Sequence, residues 1–294
     1  MIYHTYHPSA PPASELADRL GLKRARLGEW RGTCPACGYP SAAVLSERGG
    51  RALLWCSSCA DRAALAAALR GAAGGSLPAH RAERLPRLER ADRAARIARA
   101  VAIWSGAEPI TPDCPAALYL ARRRIEHIAT SAALRWRNDV PHPNGGRRIA
   151  LLAAVSGADG NFQGLQRVFL KPDGTKADVE PQKASLGVIA GGAVRLQTAS
   201  TELAIAEGIE SAAAASALLN LPAWAAVSCG NLGNSLILPE TIRSVTIAVD
   251  RDPAGERAAR AAATRWQREG RAVRLATPRE NGKDFNTLAM EGVR

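Results

Sequence analysis

The sequence predicts a multi-domain α/β protein: a small cysteine-bound unit, an α+β middle region, and a C-terminal parallel sheet flanked by helices. Three observations predict it. Two Cys-x2-Cys pairs fall within residues 34–59, a charged stretch with glycines and prolines follows, and from Glu202 apolar strand-like runs alternate with helical ones. At roughly 100–200 residues per domain, a chain of 294 residues holds two or three domains. The expected division is 1–70, a linker over 71–92, a middle region over 93–200 and a last domain over 201–294.

In the first domain, Cys34, Cys37, Cys56 and Cys59 form "CPACG" and "CSSC", separated by 18 residues. Each Cys-x2-Cys turn places two sulfurs on one side of a metal, so four thiolates at this spacing suit tetrahedral Zn2+ in a zinc ribbon. All four positions are protein ligands, which makes the zinc structural. A redox pair or disulfides is the competing reading. Between the pairs, "AAVLSE" and "RALLWC" are strand-like and "RGG" supplies a hairpin turn. Arg31, Arg48, Arg51 and Trp55 are candidates for phosphate and stacking contacts, although a purely architectural ribbon explains them equally well. The helix "ADRAALAAALRG" is expected to stop at Gly71.

In the middle region, 91–104 has a helical pattern and "CPAALYLARRRI" (114–125) is a second helix with Pro115 in its first turn. After the turn-rich "NDVPHPNGGRR", strands are expected over 149–155, 162–170 and 194–198. Cys114 and Cys229 have no sequence partner and read as small buried hydrophobes.

The last domain alternates "ELAIAE", "IESAAAASALLN", "WAAVSC", "SVTIAVD", "AGERAARAAATRWQREG" and "AVRLAT". Ligands of parallel sheets bind beyond the carboxyl ends of the strands. Glu207 and Asp250 end two such strands, and Asp252 follows on the same side of an extended segment. Carboxylates gathered there repel one another unless a hard cation such as Mg2+ lies between them. Lys283 and Asp284 in "GKDFNT" fall on the same edge. Singly, Asp252 before Pro253 is a helix N-cap, and Glu210 is a favoured charge in the first turn of its helix.

Charge points the same way: 39 Lys and Arg against 27 Asp and Glu give +12, which attracts polyanions, nucleic acid first. An arginine-rich composition by itself produces the same balance. Lys283, Arg167, Lys171, Lys176, Arg147 and Arg148 are the named candidates for phosphate contact, with Arg122, Arg123, Arg124 and Lys183 beside them. On a helix, "RRR" is otherwise a solvated face. No long apolar run and no leader pattern is visible, so a cytoplasmic protein without a membrane partner is expected.

The segments "AIAEGIESAAAA", "SCGN", "IAVDRDPAGERAA" and "GKDFN" resemble the successive motifs of the Toprim domain of bacterial primases, topoisomerases, small nucleases and recombination mediators. The preceding "GLQRVFLKPDGTKADVEPQKASLGVIAGGAVRL" and "CPAALYLARRRI" are similar to primase-like proteins of phages, plasmids and integrated elements, and the cysteine unit resembles the primase zinc-binding domain. The resemblance implies Glu207, Asp250 and Asp252 as the catalytic residues, with Mg2+ held by the same three. Thr287 stands where the last motif commonly carries aspartate. It further implies a DNA primase, a nucleotidyltransferase making short RNA primers on single-stranded DNA from nucleoside triphosphates in the replication of a mobile element, with a replicative helicase as partner. No P-loop is present, so helicase activity would come from that partner. A non-catalytic zinc/Toprim DNA-binding module and a Toprim nuclease are the alternatives. The long middle region favours a primase over a mediator.

Overall fold

The computed structural model describes residues 11–36, 38, 43–48, 51–56, 62–73, 79–280 and 282–292, and the chain divides into two compact units, Met1–Arg87 and Leu88–Arg294. The first unit contains α1 (Ala13–Arg19), β1 (Lys23–Arg26), β2 (Glu29–Gly32), β3 (Ala43–Arg48), β4 (Arg51–Cys56) and α2 (Arg62–Ala73). Its strands form an antiparallel meander in the order β1-β2-β3-β4. Strand alternation puts Trp30, Leu45 and Leu54 in one cross-strand row facing the core, together with Leu16, Leu65 and Leu69 of the helices.

The expected antiparallel pairing of β3 with β4 is present, its turn residues 49 and 50 lie outside the described residues, and β1 and β2 are additional. Their short, arginine-rich sequences carry no apolar alternation. Helix α2 runs through Gly71 to Ala73, beyond its expected stop. One interior glycine costs only about 1 kcal/mol, and the buried Leu65 and Leu69 anchor the helix in the two turns before it. Of the four expected zinc ligands, Cys34 is buried and Cys56 ends β4, in register with Ala43. Cys37 and Cys59 lie outside the described residues.

Helix α3 (Ala79–Ser105) begins inside the stretch expected to be a linker, so residues 79–90 are helical. Next come α4 (Pro115–Arg122), a 3-10 turn at Glu126–Ile128, and β5 (Leu134–Pro141), β6 (Arg147–Ser156), β7 (Phe162–Leu170) and β8 (Lys183–Gly187), a second antiparallel meander. Cys114 does more than fill space: its sulfur caps α4, accepting from Ala117 N at 3.3 Å. Strand β5 occupies part of the expected turn-rich break. An irregularity between Arg137 and Val140 shifts its register and hides its alternation from a period-2 reading.

The remaining elements are β9 (Val194–Arg195), β10 (Glu202–Ala206), α5 (Ile209–Leu219), β11 (Ala223–Ala225), a π turn at Asn231–Ser235, β12 (Ser244–Ala248), α6 (Pro253–Arg268), β13 (Ala272–Ala276) and α7 (Phe285–Glu291). They form a sheet ordered β13-β12-β10-β11-β9, parallel except for β9. Two differences from expectation stand out. The strand expected over 194–198 is two residues long and belongs to this last sheet. The one expected over 224–229 ends at Ala225, because Val227 turns at φ 74° and the chain enters the π turn.

The two faces of β10 differ. Leu203 and Ile205 pack with Val245, Ile247, Leu232 and the fully buried Trp266. Ala204 and Ala206 face the alanines 212–215 of α5, and that small-residue layer is continuous with Leu151, Val155 and Val168 of the middle sheet and with Tyr119 and Leu120 of α4. Small side chains let backbones approach closely, so the middle sheet and the last sheet share one core. That shared core brings β8 and α4 beside the first turn of α5. Among the described residues no helix is long and apolar enough to cross a membrane.

Candidate acidic site at the sheet edge

Strands β10 and β12 are parallel neighbours, with Leu203 opposite Val245 and Ile205 opposite Ile247, so both deliver their carboxyl ends to one edge. Glu207 follows β10 directly, and Asp250 and Asp252 follow β12. The loop after β12 is joined to the loop before α7 by two backbone hydrogen bonds, Arg251 N to Lys283 O at 3.0 Å and Gly282 N to Arg251 O at 2.7 Å. This pairing carries Asp284 to the same edge.

Each carboxylate has a structural commitment. Asp252 Oδ1 caps α6 by accepting from the backbone N–H of Ala254 and Gly255, both at 2.8 Å. Asp284 Oδ1 caps α7 by accepting from Thr287 N at 2.7 Å and Thr287 Oγ1 at 2.8 Å. Glu207 Oε2 accepts from Cys229 Sγ at 2.6 Å. Asp250 accepts from the Ser211 side chain, yet its Oδ1 is buried with no hydrogen-bond partner. Burial, then the charges of Glu207, Asp284 and Asp252, push the Asp250 carboxyl up to about 7 against the opposing pull of Ser211. Burial and the charges of Glu207, Asp252 and Asp250 likewise push the Cys229 thiol up.

Four carboxylates therefore share one electrostatic field, although among the described residues no three His, Cys, Asp or Glu side chains are drawn together as a finished metal-binding cluster. The donor chemistry still fits a hard divalent cation. An all-oxygen acidic set with a buried, partnerless Asp250 oxygen and a carboxyl held from ionising by like charges is what such a cation relieves.

A basic group borders the acids. Lys183 Nζ on β8 lies 2.7 Å from Oε1 of Glu210, and Tyr119 Oη of α4 donates to the same oxygen. Burial pushes the Glu210 carboxyl up, but Lys183 and the Tyr119 hydroxyl outweigh it and bring it down to about 2. Lys176 is pushed down by its own burial and by Lys183 and Arg123, with Glu210 and Asp284 acting the other way.

Two segments match known families. Residues 94–196 match a family described as a domain of unknown function, DUF7146, and residues 202–293 match the Toprim domain. The C-terminal segment is a Toprim domain. No sequence among the curated proteins matches the chain. Among solved structures, the zinc-binding and RNA polymerase domains of the Aquifex aeolicus primase overlap with a TM-score of 0.49 and 13% identity, covering 94% of this chain and 80% of that one. The DnaG primase catalytic domain bound to ssDNA overlaps at 0.45 and 18%, covering 68% and 78%. A DNA primase domain from Pseudomonas aeruginosa overlaps at 0.37 and 17%, with coverage of 52% of each, so the chain spans about half the length of that domain.

The Toprim edge gathers Glu207, Asp250 and Asp252 as neighbours in charge, and the helix-cap reading of Asp252 accounts for one of its two oxygens. Of the basic candidates, Lys176 stands beside the Toprim acids. Lys283 does not offer its ammonium there, since Glu280 and Glu291 hold it at 2.8 Å. Arg167 is buried in the middle sheet, donating to the carbonyls of Pro141, Ala184 and Ser185. Lys171 pairs with Asp178 at 2.6 Å, Arg147 pairs with Asp139, and Arg148 donates to the Arg147 carbonyl.

In the "RRR" run Arg122 and Arg124 are exposed, as a solvated face requires, and Arg123 is half-buried, yet each also ties to a neighbouring segment. Arg122 Nε donates to Asp173 O, Arg123 Nη1 reaches Asn286 Oδ1, and Arg124 Nη1 reaches Ala289 O. Sequence reasoning missed Glu210 as a site group and took Cys229 for a buried hydrophobe. The cue for Cys229 was its position in "SCGN", directly after a strand of the parallel sheet. In the first unit, Lys23, Arg31, Val44 and Trp55 form one cross-strand row on the face opposite the core, with Trp55 45% exposed over the buried Val44.

Proposed function

We infer that this chain is a magnesium-dependent nucleotidyltransferase of the primase type, making short RNA primers on a single-stranded DNA template. The observation that carries the reading is the pairing of two opposite charge groups at one edge. The Toprim acids stand on the last sheet, and Lys176 and Lys183 are brought beside them by the middle sheet through the shared core. Four mutually repelling carboxylates at one edge favour cation-dependent chemistry over DNA binding alone.

Asp250 and Asp252, with Glu207 and Asp284 behind them, would hold Mg2+, which supplies charge neutralisation for a triphosphate. In the reaction the primer 3′ oxygen forms a bond to the α-phosphorus, the bond to pyrophosphate breaks, and Glu207 takes the hydroxyl proton. Lys176 and Lys183 hold the polyphosphate. Cys34, Cys37, Cys56 and Cys59 would hold the structural zinc, and the row of Lys23, Arg31 and Trp55 offers cations and a stacking face for the template. A helicase partner and a role in replicating a mobile element belong to the same reading.

The full chain incubated with single-stranded template, labelled ribonucleotides and Mg2+ should yield short oligoribonucleotides, and Asp250→Ala combined with Asp252→Ala should yield none. Cutting of labelled DNA in place of synthesis would select the nuclease. A mobility shift without either reaction would select the binding module.

A further inference from the structure

Glu210 is a carboxylate that the acidic quartet does not use. It stands in the first turn of α5 with 7% exposure, and its partners come from outside the Toprim domain, Tyr119 from α4 and Lys183 from β8. Sealing an ion pair in a core gains little, because desolvating the two charges offsets most of their attraction. This pair is not sealed: the Lys183 side chain remains 34% exposed, so Glu210 anchors a lysine that still reaches the surface. Lys176 and Arg123 crowd the same place with like charge, and Asp284 faces Lys176. Beside the like charge of Lys176, the Glu210 carboxylate is the anion that holds the Lys183 ammonium in place.

We propose that Glu210 is a positioning residue for nucleoside triphosphate: through its ion pair it fixes the Lys183 ammonium at the rim of the acidic site, where Lys183 and Lys176 together grip the polyphosphate tail. This rests on the transferase reading above for its substrate class, but its test has a readout of its own. Tyr119 donates to the same Glu210 oxygen and has no contact with phosphate in this arrangement.

Glu210→Gln keeps the side chain's size and its capacity to bond both partners while removing the charge. Binding of a fluorescent ribonucleoside triphosphate analogue to the full chain in Mg2+ should weaken by about tenfold or more, the worth of one charge-assisted hydrogen bond. The KM for nucleotide should rise in parallel while kcat changes less than about twofold. Lys183→Gln should weaken binding as much, and adding Glu210→Gln to it should weaken it no further, since both act through one ammonium. Tyr119→Phe removes the other bond to Glu210 and serves as the control for a structural role: its melting temperature should fall while nucleotide affinity stays at the wild-type value.

Unchanged affinity in Glu210→Gln, additive losses in the double variant, or an equal loss in Tyr119→Phe would each overturn the inference. A wild-type chain that fails to bind the analogue does so as well. A chain that binds nucleotide with the expected dependence on Glu210 yet makes no oligonucleotide overturns the synthase reading and leaves this one standing.

Discussion

Asp250→Asn is expected to move activity and stability in opposite directions. Synthesis should fall by about 10²–10³-fold or more, the loss typical of removing one electrostatic stabiliser of a developing charge. Stability should rise, and the pH at which it rises follows from the raised carboxyl. The ordinary value of 3.8 is shifted to about 7 in the fold, so between those values the native chain holds a proton that the unfolded chain has released. That contribution is fully present below about pH 4 and is lost as the pH climbs through 7. Above it, the native state carries an ionised Asp250 against burial and three like charges, a cost of up to about 4 kcal/mol. Asparagine carries none of it. In the absence of divalent cations the variant should melt close to wild type at pH 4, diverge from it progressively as the pH rises, and melt several degrees higher at pH 8, at roughly 2–4 °C per kcal/mol for a unit of this size. Equal differences at both pH values would show that Asp250 is not the strained acid.

Gly255→Ala is expected to cost both stability and activity through a single methyl group. An alanine in a helix normally stabilises it relative to glycine by about 1 kcal/mol. Here a Cβ would lie 2.3 Å from the carbonyl oxygen of Asp250 and 3.1 Å from its Cβ, and neither the helix nor the loop can yield without moving the acid. Gly255 N also donates to Asp252 Oδ1, so both aspartates are displaced together. Overpacking of this kind costs about 1–3 kcal/mol, and a shift near 1 Å in a reacting geometry costs about 10²-fold in rate. Gly71→Ala in α2 is the matched control. Nothing lies within 4 Å of its added methyl group, and the intrinsic preference for alanine should show as a gain of about 0.5–1 kcal/mol. Thermal melts of both variants with a primer-synthesis assay of the first decide the point, and a fully active Gly255→Ala would mean that the loop tolerates displacement.

The acidic edge was legible because its parts obey local rules. Buried parallel strands appear as uninterrupted apolar runs, so the ends of β10 and β12 are marked by Glu207 and Asp250, and an Asp-Pro pair marks the start of α6. The cationic half was legible only in part: Lys176 and Lys183 stood among the basic candidates with nothing local to single them out. Glu210 occupies a position where any helix welcomes an acid, and only the fold shows that it faces Lys183 on a strand of the preceding region. Strand β8 itself is short and lacks alternation, and β5 conceals its period behind a register shift. Arg167 was read as a groove residue, yet it sits in "GLQRVFL", where Leu165 and Val168 flank it within a strand buried on both faces. Its guanidinium spans three carbonyls there, a demand that composition cannot reveal. Cys229 was hidden for a different reason: thiols are usually buried as hydrophobes, and its bond to Glu207 depends on the chain turning away after Ala225.

The most direct test of the central claim is a titration of the full chain with Mn2+, followed by electron paramagnetic resonance, for the wild type and Asp250→Asn at pH 8. If Asp250 and its acidic neighbours are built to share a cation, the wild type binds Mn2+ at one site that Mg2+ displaces, and the variant binds it at least about tenfold more weakly, the effect of one lost charge-assisted ligand. Identical Mn2+ affinity in the two proteins would contradict the account.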